Sequence, residues 1–135
     1  MQHEPFRYPV HVWAEASVHP SEDPVRVRAA VENLLPRAEA RFEPDRNRVV
    51  AQGSAASLVG LYEGGRSRRI LGVLRRLLLR NSSGEETWVL VHKQAAYARR
   101  LALCEEEAES PLGPIRISLR SQYLQELIEW LAPPT

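Results

Sequence analysis

Between residues 8 and 18 apolar and polar positions alternate. Val10, Val12, Ala14, Ala16 and Val18 fall on one side, and His11, Trp13, Glu15 and Ser17 on the other. That period of two predicts a half-buried strand, which His19 and Pro20 break. Ser21 is a suitable N-cap for a helix that follows. Glu22 and Asp23 stand in its first turn, beside the positive end of the dipole, and Pro24 is tolerated where amides lack helical partners. Val27, Val31, Leu34 and Leu35 line the buried face of this helix, and Pro36 closes it. Residues 37–42 and 48–53 read as two strands. The intervening 43–47, with Pro, Asp and Asn, predicts a hairpin. A short helix is expected over 54–63.

The segment from Gly64 to Arg80, GGRSRRILGVLRRLLLR, changes period. Ile70, Val73, Leu74, Leu77 and Leu78 recur at steps of three and four, which predicts one apolar helix face and the longest helix of the chain. Gly64 and Gly65 interrupt the chain just before it. Arg68 and Arg75 share one flank of this helix, Arg69 and Arg76 the other, with Gly72 and Leu79 between them. Residues 81–84 end it. Residues 86–92 form a fourth strand, with Trp88 and Leu90 in phase. Residues 93–104 are ambiguous and allow a turn followed by a strand from about 99 to 104. An acidic loop over 105–110 and a rigid Pro111–Pro114 connector precede the last strand, where Ile115, Ile117 and Leu119 alternate with Arg116, Ser118 and Arg120. Ser121 is placed to cap a final helix that packs Leu124, Leu127, Ile128 and Leu131 inward.

Strands separated by helices, with a hairpin near the middle, predict an α+β fold: a mostly antiparallel sheet with helices packed on one face. At 135 residues the chain is read as a single domain, residues 1–135. The open face of the sheet is expected to carry His11, Trp13, Glu39, Arg41, Arg116 and Arg120. A tryptophan there calls for an explanation.

Charge adds little by its total, +1, and more by its kind: seventeen of the eighteen Lys and Arg residues are arginine, Lys93 being the lone lysine. Arginine forks phosphates and carboxylates better than lysine does, although a GC-rich genome produces the same bias and is the simpler cause. Cys104 is the single cysteine, so no internal disulfide and no cysteine-based zinc cluster is expected. No apolar run approaches a membrane span, and the start MQHEPFRYP has no signal-peptide core. A cytoplasmic location without membrane attachment is therefore expected. His3, His11, His19 and His92 have no metal-ligand spacing, and no metal or cofactor is expected. No phosphate loop, dinucleotide fingerprint, zinc-protease motif or nucleophile elbow occurs, so no catalytic residue is assigned and the chain is not expected to be an enzyme.

Two features remain for binding. Arg68, Arg69, Arg75 and Arg76 can grip phosphates, residues seven apart on a helix being about 10.5 Å apart along its axis. The plainer reading is a solvated face partly neutralised by Glu105, Glu106, Glu107 and Glu109, and charge runs more often do only that. Lys93, just after a strand end, is a further possible phosphate contact, against a purely structural turn tied by Gln94. His11 and Trp13 can stack bases or, with Arg116 and Arg120, form a protein interface.

The strings HKQAAYARR, SPLGPIRISL and the terminal EWLAPPT resemble the archaeal uncharacterised protein family 0201. The opening is similar as well: a strand, His19 to Asp23, then a helix ending in Asn33 to Pro36. So is Arg68, Arg69, Ile70 and Leu71 followed by Arg75. The resemblance implies an α+β fold like that of large-subunit ribosomal protein five and an association with RNA or a ribonucleoprotein. It brings no catalytic residues with it. The expected function is a non-catalytic RNA-associated module contacting phosphates through the Arg-rich helix. The alternative is an interaction protein that homodimerises through the open sheet face without nucleic acid.

Overall fold

The computed structural model describes residues 5–134. Its elements are β1 (His11–Ser17), α1 (Pro24–Leu34), β2 (Glu39–Glu43), β3 (Arg48–Gly53), α2 (Val59–Ser67), α3 (Leu71–Arg80), β4 (Glu86–Val91), α4 (Lys93–Tyr97), β5 (Leu103–Cys104), β6 (Ile115–Arg120) and α5 (Leu124–Leu131). Short 3₁₀ turns occupy Pro44–Arg46, Ala55–Leu58 and Glu107–Glu109. The six strands form one sheet in the order β2-β3-β1-β6-β4-β5, with every neighbouring pair antiparallel.

The sheet has one covered face. Val12, Ala14, Ala16, Val49, Ala51, Val89, Val91, Ile115, Ile117 and Leu119 share a core with residues from all five helices, among them Val27, Leu61, Leu74, Ala96 and Leu127. The α+β architecture with helices on one face is thus as the alternation predicts.

Several local expectations are corrected. The N-cap of α1 is Asp23, not Ser21: the Asp23 carboxylate accepts from the Val25 amide, and Pro24 takes the first helical position, where no donor is lost. Ser121 lies outside α5. Its Oγ accepts from the Tyr123 amide and donates to the Pro9 carbonyl, tying the end of β6 to the segment before β1. Segment 93–98 is not a plain turn but the short helix α4, capped by the His92 ring at the Ala95 amide, and β5 is only two residues long.

The largest correction concerns the Arg-rich helix. Gly64 and Gly65 do not interrupt it; they lie inside α2, where Gly65 faces the Leu71 and Leu74 side chains. The break comes after Ser67. Arg69 adopts a left-handed φ of 56°, and α3 starts afresh at Leu71. Leu74, Leu77 and Leu78 are buried as expected, but Val73 is exposed and Ile70 serves as the N-cap residue. The longest helix is α1, with 11 residues against 10 in α3. The periodicity of apolar residues survives a one-turn break, so it cannot locate one.

Candidate nucleic-acid interface

The four arginines assigned to one helix divide into two kinds. Arg75 reaches across to α5, donating to the Ala132 carbonyl at 3.1 Å and to the Glu129 carboxylate at 2.8 Å. Arg76 pairs with Glu105 at 2.9 Å, and Arg80 meets the same carboxylate oxygen at 3.3 Å. The Arg76 bond holds the Glu105 carboxyl below its ordinary range and raises the Arg76 guanidinium above its own. Arg68 and Arg69 lie outside α3, in the α2–α3 break. Both are exposed, and their side chains make no hydrogen bond or ion pair with the described residues.

The pattern reading missed two further exposed arginines, Arg99 and Arg100, which directly precede Leu101, a residue that lies against Gly64 of α2. Their side chains likewise have no partner among the described residues. Arg66, in contrast, is structural. It donates to the carbonyls of Tyr62, Trp130 and Leu131 and lies 3.4 Å over the Tyr62 ring. Beside it a depression of about 490 Å³ is lined by Arg66, Arg69, Leu71, Gly72 and Val73.

Lys93, read from the sequence as a possible phosphate contact, is committed inside the fold. It is 3% exposed, and its ammonium donates to the Ser17 carbonyl at 2.8 Å, the Leu112 carbonyl at 2.8 Å and the Glu22 carboxylate at 3.0 Å. An ammonium has three donors, and all are committed to joining the end of β1, the turn before α1 and the Pro111–Pro114 turn. Gln94 ties the same turn through the Pro111 carbonyl.

The open sheet face gathers His11, Trp13, Arg116 and Arg120, and it adds Trp88, which sequence reasoning did not place there. The ladder sets Trp13 opposite Ser118 on one side, and Trp88 opposite Ser118 on the other. The phase of β4 is fixed from α3: the buried Thr87 hydroxyl donates to the Leu78 carbonyl at 2.6 Å, and the Asn81 amide donates to the Trp88 carbonyl at 2.9 Å. Thr87 therefore points inward and Trp88 outward. The run WVLV contains no polar residue to mark a face, which is why alternation alone was mute there. The Arg116 guanidinium lies 4.3 Å from the centre of the Trp88 ring. A depression of about 280 Å³ is lined by His11, Trp13, Trp88, Arg116, Ser118 and Arg120, with Glu86 at its rim. Farther along the same face Arg48 bonds Glu43 at 2.7 Å and Glu15 at 3.0 Å, which holds the Glu43 carboxyl below its ordinary range.

Among the described residues no group of His, Cys, Asp and Glu can hold a metal ion, and no helix is long and apolar enough to cross a membrane. His19 bonds Ser21, His92 caps α4, and His3 lies outside the described residues. Cys104 is buried, and burial raises its thiol above the usual range.

An antiparallel sheet with one helix-covered face, and arginines exposed on both sides, defines the class: an α+β protein. A family model described as RNA binding matches residues 11–121. A UPF0201 protein of Aeropyrum pernix is 37% identical over 136 residues, covering 98% of this chain and 91% of its own. One from Thermococcus onnurineus is 40% identical over 127 residues, covering 92% of each. The crystal structure of a UPF0201 protein from Methanococcus jannaschii superposes with a TM-score of 0.79 at 27% identity, covering 93% of this chain and 94% of that one. The chain belongs to the UPF0201 family, and its archaeal relatives match the resemblance read from HKQAAYARR, SPLGPIRISL and EWLAPPT.

Proposed function

We propose that this protein is a non-catalytic RNA-binding module that contacts phosphates through the exposed arginines of the α2–α3 corner. The observation that carries the reading is that Arg68 and Arg69 are exposed and without partners in a chain whose residues 11–121 match an RNA-binding family model. Arg76 stands nearby as a paired contact that a phosphate can compete for; Arg75 is held more firmly by α5. The likeness to large-subunit ribosomal protein five implied by the sequence resemblance supports the same ligand class, by fold analogy only. Contacts of this kind position the backbone and carry little sequence preference.

The test is the salt dependence of binding to single-stranded RNA. Affinity falls with salt at a log–log slope of about −0.7 per contacted phosphate. Replacing Arg68 and Arg69 with Gln flattens that slope by roughly one to two such contacts. A slope of zero, or a double variant with the parent's slope, refutes the assignment to this corner. If the parent has no RNA affinity at low salt, the homodimer through the open sheet face becomes the reading to pursue.

A further inference from the structure

Ser118 sits at the centre of a cross on the open sheet face. Across the strands its neighbours are Trp13 on β1 and Trp88 on β4. Along its own strand the next residues on the same face are Arg116 and Arg120. We propose that this cross is a nucleotide site, in which an unpaired base of single-stranded RNA stacks between Trp13 and Trp88 while Arg116 and Arg120 take the phosphates on either side. The proposal rests on the reading above that RNA is the ligand, but it uses the opposite side of the sheet.

The geometry suits that occupant. Two inter-strand spacings put the Cα atoms of the two tryptophans about 9.5 Å apart. A base between two rings needs about 7 Å, twice the spacing of stacked bases, which that separation accommodates. A serine between two indoles leaves the gap unfilled, and its hydroxyl, without a partner among the described residues, floors the slot as a donor and acceptor for a base edge. The Arg116 guanidinium now lies over the Trp88 ring; in the proposed complex it swings off to a phosphate and the base takes its place on the indole, a face on which bases stack. Arg116 and Arg120 each stand two residues from Ser118, about 6.7 Å along the strand, flanking a bound base. Arg120 is free to turn to a phosphate, since its one ion pair, with Glu86 at 3.9 Å, joins two side chains that are 64% and 66% exposed.

A second copy of this chain fits the face less well. Among the described residues the large apolar side chains that stand exposed are Val25, Val73, Leu79, Tyr97, Leu112 and Tyr123, none of which lies on it. Around the slot the face carries the charged network of Arg48, Glu43 and Glu15 instead. Burying charges of that kind in a self-association is unfavourable unless each is re-paired.

The probe is a single-stranded tetra-adenylate, followed by quenching of tryptophan fluorescence, with a blunt RNA duplex as comparison. Trp130, packed in the helix layer between Phe6 and Tyr62, does not report on the slot. The parent should quench and prefer the single strand. Trp13→Leu and Trp88→Leu should each weaken the tetranucleotide by about 5- to 150-fold, the range of one lost stack. Ser118→Leu, which fills the slot and keeps both indoles, should weaken it as much, and Trp88→Phe should retain most of the affinity. Far-UV circular dichroism and the thermal midpoint check that each variant is folded.

A parent that binds RNA with an arginine-dependent salt slope, yet whose Trp13→Leu and Ser118→Leu variants bind like the parent, overturns the slot and leaves the RNA-binding reading standing. Equal affinity for duplex and single strand overturns it too. Binding of no RNA by the parent removes both. A sedimenting dimer that Trp13→Leu dissociates assigns the face to a second copy and overturns the proposal.

Discussion

On the helix layer Arg66 and Arg75 point their N–H groups at the Trp130, Leu131 and Ala132 carbonyls, whereas on the open sheet face Arg116 and Arg120 bond no carbonyl. The contrast has a backbone origin. The last turn of a helix leaves carbonyls without intrahelical partners. Where α5 ends against α2 and α3, a guanidinium supplies the missing donors. On β6, paired on both sides, the carbonyls are already used in the ladders, so Arg116 and Arg120 find no backbone to hold. They are left to carboxylates, to rings and to ligands. A count of arginines therefore overstates the grip of the helix layer and understates that of the sheet.

The strongest way to break this comparison is to remove the helix end on which those arginines depend. Deleting residues 126–135 takes away Leu127, Ile128 and Leu131, all buried, together with the Trp130, Leu131 and Ala132 carbonyls that Arg66 and Arg75 hold. Each such side chain contributes about 1.5–3 kcal/mol against a total stability of roughly 5–15 kcal/mol. The expected product is an insoluble or molten chain without a cooperative transition. A truncated protein that unfolds cooperatively near the parent's midpoint would show that those arginines hold nothing essential.

Next in size is Lys93, the cation most deeply committed to the fold. Lys93→Met leaves the Glu22 carboxylate, 11% exposed, without its ammonium, and should lower stability in urea by about 3–5 kcal/mol. Adding Glu22→Gln should recover part of that loss, because the stranded charge goes with it. Full stability in the single variant would remove the structural role and reopen Lys93 as a surface contact.

A smaller effect separates two arginines that the sequence treats as equivalent. Arg75→Gln strands the Ala132 carbonyl and should cost about 1–3 kcal/mol. Arg68→Gln should stay within about 0.5 kcal/mol and change only the salt slope of RNA binding. Equal destabilisation by the two would erase the distinction between a tied and a free guanidinium.

The fold was legible wherever polarity contrasts with period. Val12, Ala14 and Ala16 against Trp13 and Glu15 gave β1 its faces, and Ile115 to Arg120 gave β6 its own. Arg48–Gly53 came out as a strand with the bounds observed. The break at Arg68 to Ile70 was invisible, because a left-handed arginine carries no composition mark of the sort a glycine does. Most of the open-face depression was legible, through His11, Trp13, Arg116 and Arg120 as an exposed set. Trp88 was not, since its side of β4 is chosen by the bonds from Leu78 and Asn81 rather than by its neighbours in sequence. Nor was the fate of Arg75 and Lys93, bonded to Ala132 and Glu22 at separations of 57 and 71 residues.

The finest test compares the acid response of two ion-pair sites. On the sheet face the Arg48 bond holds the Glu43 carboxyl below its ordinary range, with side-chain exposures of 23% and 24%. On the helix layer the Arg76 bond does the same to Glu105, with exposures of 52% and 47%. A carboxyl depressed in the folded state stabilises the protein fully above its unfolded pKa, and that contribution is lost as pH falls through its folded pKa. The thermal midpoint should therefore drop on acidification below the ordinary carboxylate range, and both Glu43→Gln and Glu105→Gln should drop less steeply than the parent. Raising ionic strength from 0.15 M to 1 M shortens the screening length from about 8 Å to 3 Å. The Glu105 difference should fade under that change while the half-buried Glu43 difference persists. Equal fading of both would mean that the sheet-face network is as solvated as the helix-layer pair, and the distinction between the two sides would then rest on the aromatic slot alone.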